Sequence, residues 1–102
     1  MKNYFLSKLF NINYKIAIHE GNANCRLASK APEILFQLTT GRNFVPKKYT
    51  KNFNKLIDLI DQILQHSGGR LPVRIDGIQN KTASKYIKLL IDIEKSLEQK
   101  TI

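Results

Sequence analysis

Three side chains of this 102-residue chain could serve as a nucleophile or a base: Cys25, His19 and His66. A Cys–His pair works only when the two side chains reach hydrogen-bond distance and a third group orients the base. Cys25 and His19 are close enough in sequence to meet across a turn, but no local motif accompanies the cysteine. We interpret Cys25 as a small buried residue and His19 as a histidine near a helix C-terminus, where a positive charge is favourable, and we expect no catalytic residue.

Metal and phosphate chemistry have equally little support in the sequence. The segment "HEGNANC", residues 19–25, holds one histidine and one cysteine, whereas a structural zinc site needs four such ligands. Asp58 and Asp61 could form an acid–base or metal pair, or they could be the water-facing side of an amphipathic helix. No glycine-rich segment matches a phosphate-binding loop. We therefore predict a protein that is not an enzyme, with no metal, no cofactor and no small-molecule substrate.

The stretch "GRNFVPKKYTKNFNK", residues 41–55, offers a different chemistry. It contains five cations and three aromatic rings, and no acidic residue occurs from Ile34 to Ile57. Lysines can neutralise phosphates, and Phe44 or Tyr49 could stack on a base. The alternative is that the rings belong to the core face of an amphipathic helix, beneath a purely basic surface. We predict that the partner-binding residues are the five cations: Arg42, Lys47, Lys48, Lys51 and Lys55.

A second stretch, "NKTASKYIKLL" at residues 80–90, resembles the recognition helix of helix-turn-helix and winged-helix DNA-binding domains. In those domains the recognition helix enters the major groove and reads base edges. The resemblance implies that four residues would contact nucleic acid: Lys81, Ser84, Lys85 and Lys88. The other interpretation is a capped amphipathic helix that packs on its neighbour.

The charge balance favours an anionic partner. The chain carries a formal net charge of +9, with 17 Lys and Arg against 8 Asp and Glu. Residues 1–55 hold ten cations and two carboxylates, a net of +8, whereas residues 56–102 hold seven and six, a net of +1. An acidic protein, a nucleic acid or an anionic membrane could use such a basic half.

No apolar run approaches the roughly 20 residues that cross a bilayer. The N-terminal segment is interrupted by Asn, Ser and Lys, and we interpret it as a helix of the mature fold. The single cysteine cannot form an internal disulfide, so we expect a cytoplasmic protein.

Hydrophobic periodicity predicts the elements that position these residues. Apolar side chains recur at helical spacing over 3–20, 23–38, 46–66 and 82–99, and residues on these stripes, such as Phe5, Phe53 and Ile60, are predicted to form the core. The first helix also has apolar residues outside its stripe, which are predicted to be either buried or turned to a partner. The opposite side of the second helix is predicted to face solvent, with Arg26, Lys30, Glu33 and Gln37. Gly21 and Asn22 predict a tight corner, Pro32 predicts a kink or split near Ala31, and residues 39–45 are predicted to be a loop. Residues 70–79 are predicted to be a short extended connector.

The sequence thus predicts an all-α fold, a bundle of about four helices that forms a single domain over residues 1–102. The predicted function is that of a small basic binding or regulatory protein, such as an inhibitor, an immunity protein or an adaptor. The alternative is a nucleic-acid-binding module that uses residues 42–55, with or without the helix over 80–98. Exposed rings between the lysines would favour single-stranded nucleic acid, and buried rings would favour a protein partner.

Overall fold

The computed structural model describes residues 2–19, 21–66 and 79–100 of the chain. Across these three ranges the protein is entirely helical and contains no strand, which confirms the all-α prediction. The predicted connector at 70–79 lies outside the described residues except for Gln79. The five α-helices are α1 (Lys2–Ile18), α2 (Ala23–Ser29), α3 (Ala31–Glu33), α4 (Lys47–His66) and α5 (Asn80–Lys100).

One contiguous core joins the helices, and its members are the apolar residues that recur at helical spacing. Helix α5 lies at its centre and contacts α1, α2 and α4. The most deeply buried large side chains come from every part of the described chain and include Leu9, Ile16, Leu27, Ile34, Phe53, Ile60, Leu90 and Ile93. The radius of gyration is 13.0 Å, the value of about 13 Å expected for a compact chain of this length.

The corner between α1 and α2 follows its prediction in backbone shape. Gly21 has a φ of 115°, a region that side chains other than hydrogen rarely tolerate. Asn22 occupies the N-cap position of α2 with an extended backbone, but its side chain makes no capping hydrogen bond. An orphan N–H of this helix is instead satisfied from α5, because the Asn80 Oδ1 accepts a hydrogen bond of 3.1 Å from the Asn24 N–H.

The second predicted helix, over 23–38, is divided as expected near Pro32. Helix α2 ends at Ser29, Lys30 leaves the helical region with φ −109° and ψ 11°, and α3 starts at Ala31. Pro32 lies in the first turn of α3, where its missing N–H costs nothing. A π-helical turn then covers Ile34–Leu38.

Two predictions for this segment differ from the structure. The predicted loop at 39–45 is largely 3-10 helical over Thr39–Phe44, with a kink at Gly41, whose backbone (φ −106°, ψ 19°) is not helical. The side of α2 and α3 that was predicted to face solvent, with Arg26, Lys30 and Glu33, is half-buried. Tertiary contacts account for both differences, since α2 contacts α5 and α1, α3 and the π-helical turn contact α4, and the π and 3-10 turns contact α1. The segment is therefore covered on two sides.

The last helix begins earlier than its predicted start at Thr82. Its first residue is Asn80, and the Ala83 N–H donates to the Gln79 carbonyl over 2.9 Å. Thr82 is therefore inside the helix and does not cap it. None of the described helices combines the length and apolar character that crossing a bilayer requires.

Candidate partner-binding surfaces

The first half of α4 positions the predicted basic surface. Pro46 precedes the helix, and its carbonyl accepts hydrogen bonds from the Tyr49 N–H at 2.9 Å and the Thr50 hydroxyl at 3.3 Å. These contacts fix the first turn, from which the lysines project on the side opposite Phe53 and Ile60. We name the five predicted cations the basic surface, and all of them are exposed: Arg42, Lys47, Lys48, Lys51 and Lys55.

The aromatic rings of this stretch lie beneath the cations. Phe53 is fully buried. Tyr49 and Phe44 are half-buried against the core, and the Phe44 ring packs on Phe5 with centroids 6.1 Å apart. The Lys48 Nζ lies 5.1 Å from the Tyr49 ring centroid, in a cation–π contact. The rings are thus occupied in packing, and the exposed chemistry of this surface is positive charge.

The cations of the basic surface have no carboxylate partner among the described residues. The one ion pair within those residues joins Lys30 to Glu33 at 4.0 Å. Asp58, one turn beyond Lys55, is exposed and makes no ion pair with it. The field of these cations is therefore directed at solvent, where salt screens it over about 8 Å at physiological ionic strength.

Helix α5 exposes the four residues suggested by the DNA-binding resemblance. Lys81, Ser84, Lys85 and Lys88 all face solvent on one side of the helix, whereas Ala83, Tyr86 and Leu90 enter the core on the other. The Lys85 Nζ lies 5.7 Å from the Tyr86 ring centroid. The packing of α5 on α1, α2 and α4 makes it a central structural element, and its outer face remains accessible.

No hydrogen bond joins His19 to Cys25 within the part of the chain that the structure describes, and the side chain of His66 lies outside that part. His19 is exposed, and Cys25 is half-buried beside Gly21. Asp61 accepts a hydrogen bond of 3.1 Å from Gln65 on the solvent side of α4. The Asp58–Asp61 spacing therefore fits the water-facing side of an amphipathic helix. No group of three His, Cys, Asp or Glu side chains that could hold a metal ion occurs within the part of the chain that the structure describes.

One titratable group in the described chain has a clearly altered environment. Burial between α1 and α5 raises the pKa of the Glu94 carboxyl, and the neighbouring Glu98 acts in the same direction. The Asn13 Nδ2 donates to the Glu94 Oε1 over 2.8 Å, which partly offsets the effect. Sequence reasoning missed this contact because its two residues lie on helices that are far apart in the sequence.

Sequence reasoning also left one surface unassigned. Apolar residues of α1 outside its core stripe were predicted to be either buried or turned to a partner. The structure exposes four of them on one side of the helix, Tyr4, Phe10, Tyr14 and Ile18. The signal was present in the sequence, as the weak separation of apolar and polar residues around α1.

Comparison with known proteins yields distant similarity and no family. No protein-family model matches the chain, and no solved structure matches it. The chain is 29% identical over 84 residues to a "Putative pre-16S rRNA nuclease" of Bifidobacterium longum subsp. infantis, a match that covers 81% of this chain and 56% of that protein. Proteins of the same description from two strains of Bifidobacterium longum match at 29% identity over 84 residues. The chain thus spans about half the length of the curated relatives that it matches.

Proposed function

We propose that the protein is a small non-enzymatic binding protein, which acts in the cytoplasm by contact with a larger macromolecular partner, as an inhibitor, immunity protein or adaptor does. The partner in this proposal presents an acidic protein surface to the basic surface. The observation that carries the proposal is the arrangement of that surface, with five exposed cations above rings that are buried or half-buried.

The physical argument begins from a cost. Five cations without a described carboxylate partner repel one another and slightly destabilise the fold. A complementary acidic patch would remove that repulsion and accelerate association through long-range attraction. Single-stranded nucleic acid would need accessible ring faces for stacking, and the rings under these lysines are engaged with the core. The surface therefore suits an acidic protein better than it suits exposed bases.

A second candidate function is nucleic-acid binding through the basic surface together with the outer face of α5. Two observations favour it: the exposure of Lys81, Ser84, Lys85 and Lys88, and the similarity to proteins described as acting on pre-16S rRNA. In this case the lysines would neutralise phosphates, and binding would weaken steeply with salt.

Affinity capture with two matched charge-reversal variants tests the proposal. One variant carries Lys→Glu at Lys47, Lys48, Lys51 and Lys55, and the other carries it at Lys81, Lys85, Lys88 and Lys95. Each set removes eight units of charge, so both variants have a net charge of 9 − 8 = +1. All eight lysines are exposed, and circular dichroism should show that both variants retain the wild-type helix content. Capture from nuclease-treated and untreated extracts of the native host is then quantified by mass spectrometry.

We expect an acidic protein that is captured by the wild type and by the α5 variant but not by the α4 variant, with or without nuclease treatment. Capture that nuclease abolishes, and that both variants lose, would instead support the second candidate. Equal capture by all three proteins would show that neither charged surface makes the contact.

A further inference from the structure

The outer face of α1 is an aromatic surface that no other part of the described chain covers. Tyr4 is 58% exposed, Phe10 52%, Tyr14 58% and Ile18 62%, although each is a residue that a small domain ordinarily uses in its core. The core face of the same helix is filled by Phe5, Leu9, Ile12 and Ile16. At a rise of about 1.5 Å per residue, the three exposed rings extend over about 15 Å of the helix.

The rings on this face are held in defined orientations. Phe10 and Tyr14 lie nearly parallel, with centroids 6.5 Å apart and an interplanar angle of 12°. The Lys8 Nζ lies 5.2 Å from the centroid of Tyr4, in a cation–π contact. The contact between Lys8 and Tyr4 therefore lies at one end of the face, and the parallel rings of Phe10 and Tyr14 follow about two turns later.

The charge on this helix has one sign. Residues 2–18 contain Lys2, Lys8 and Lys15 and no Asp or Glu. By helical geometry, Lys8 and Lys15 flank the aromatic face on the side of Tyr4, whereas Asn13 and its contact with Glu94 on α5 lie on the opposite flank. One edge of the face thus carries two cations about 10 Å apart along the helix axis, which suits a ligand whose charge runs along a backbone.

Polar side chains lie among the rings and help to identify the occupant. Asn3, Ser7 and Asn11 are exposed on the same side of α1, and each offers hydrogen-bond donors and acceptors. A lipid bilayer would have to desolvate these groups without pairing them, which is costly. A second copy of this chain would bring identical lysines together with no carboxylate on either helix. A ligand with negative charge, flat apolar rings and polar ring edges matches the basic edge, the exposed rings and the polar side chains of this face.

We infer that the outer face of α1 binds single-stranded nucleic acid, with Tyr4, Phe10 and Tyr14 stacking on bases while Lys8 and Lys15 contact phosphates. This combination of accessible rings and a basic edge is how proteins bind single strands without sequence preference. The basic surface on α4 lacks the accessible rings, so the two surfaces have different chemistry. The inference goes beyond the proposed function and does not depend on it.

Fluorescence anisotropy with a labelled 20-nucleotide oligouridylate tests the inference on the full chain at low salt. The key variant replaces Tyr4, Phe10 and Tyr14 by Leu, which preserves the apolar surface and the helix but removes the stacking faces. The matched control is Phe36→Leu, because Phe36 is a 69% exposed ring that belongs to the π-helical turn and not to α1. Circular dichroism verifies that both variants are folded.

We expect the wild type and the Phe36 variant to bind the oligonucleotide equally. Removal of each stacking ring should weaken binding by about 5- to 150-fold. Replacing Lys8 and Lys15 by Gln should reduce the slope of log affinity against log salt by about 1.4, which is about 0.7 for each phosphate that a lysine no longer neutralises. A 20-base-pair RNA duplex, whose bases are stacked on one another, should bind the wild type more weakly than the single strand does.

Several outcomes would overturn the inference: no binding of the single strand at low salt, equal binding by the Leu variant, or equal affinity for the duplex. Abolished binding in the α4 charge-reversal variant but not in the Leu variant would also overturn it and would assign nucleic-acid binding to the basic surface. Binding of phosphatidylserine vesicles that survives the Leu substitutions, without oligonucleotide binding, would identify a membrane surface instead. Capture of an acidic protein through α4 is a separate measurement, so failure of the proposed function is distinguishable from failure of this inference.

Discussion

At the scale of single residues, the contact between Asn13 and Glu94 is the polar link between α1 and α5. The Asn13 Nδ2 donates to the Leu90 carbonyl at 3.2 Å as well as to Glu94, while its buried Oδ1 has no partner among the described residues. The pKa of Glu94 is raised chiefly by burial, so the fold favours its protonated form. The stabilisation that protonation provides is complete below the ordinary pKa of 4.5 and is lost as pH rises through the raised value.

Glu94→Gln should therefore stabilise the protein at pH 7. The glutamine is neutral, and its amide can accept from the Asn13 Nδ2 and donate to the Asn13 Oδ1. We expect a gain of about 0.5–1.5 kcal/mol in the free energy of unfolding, of the size of one hydrogen bond, that shrinks as pH falls toward 4. Urea denaturation at pH 7 and pH 4 measures both values. Asp58→Asn is the control for removal of one surface carboxylate, and a Glu94→Gln variant less stable than wild type at pH 7 would contradict the argument.

How far the sequence predicts the structure at this scale depends on how local each signal is. Phe5, Phe53 and Ile60 were predicted to be core residues from helical spacing alone, and that prediction is confirmed. The positive φ of Gly21 was predictable in the same way, because a helix end is a local feature. The Asn13–Glu94 contact was not predictable, because it joins residues 81 positions apart and depends on how α1 and α5 cross.

At the scale of elements, the segment between α3 and α4 shows tertiary packing overriding local pattern. Gly41 was predicted to lie in the loop at 39–45, and it is a buried kink between two short 3-10 pieces, with φ −106° and ψ 19°, which most residues can adopt. A glycine is required at position 41 for another reason. A Cβ at this position would overlap with the ring of Phe5 and would lie 2.6 Å from its Cγ. The close approach of α1, and not the backbone conformation, requires a glycine.

Gly41→Ala should consequently destabilise the fold through overpacking, by about 1–3 kcal/mol. The destabilisation should be smaller in a Phe5→Leu background, because the smaller side chain vacates part of the contested space. A double-mutant cycle on the free energy of unfolding, from urea denaturation of the four proteins, isolates this coupling. Strictly additive effects would mean that Gly41 is needed for its backbone and not for its contact with Phe5.

Helical spacing predicted the exposed side of α4 but not that of α1. Amphipathic spacing along α4 correctly predicted which lysines face solvent, because the apolar stripe of that helix is unambiguous. Helix α1 carries apolar residues on both sides, so spacing alone could not decide which side the core would use. The packing of α1 against α5 and the turns at 34–44 determines which side is buried. The rings on the other side, Tyr4, Phe10 and Tyr14, remain exposed.

The chain as a whole carries a net charge of +9, and ion pairs among the described residues do little to relieve the repulsion between its cations. Within the described residues a single pair, Lys30–Glu33, brings opposite charges within 4.0 Å. Repulsion of this kind acts over the distance that salt permits, about 30 Å at 0.01 M and about 8 Å at 0.15 M. Any anionic partner, whether protein or nucleic acid, would relieve the same repulsion that salt relieves.

The free protein should thus become more stable as potassium chloride rises from 0.01 M to 0.15 M, by about 0.5–1 kcal/mol, which corresponds to about 2–8 °C in Tm. The reason is screening of like charges, because a fold held by exposed ion pairs would lose stability over the same range. Differential scanning calorimetry of the wild type and of the α4 charge-reversal variant, with its net charge of 9 − 8 = +1, provides the comparison. The variant should show little dependence on salt. An equal rise in the Tm of both proteins would mean that the salt acts through hydration and not through screening. Repulsion within the basic surface would then be no reason to expect that it binds an anionic partner.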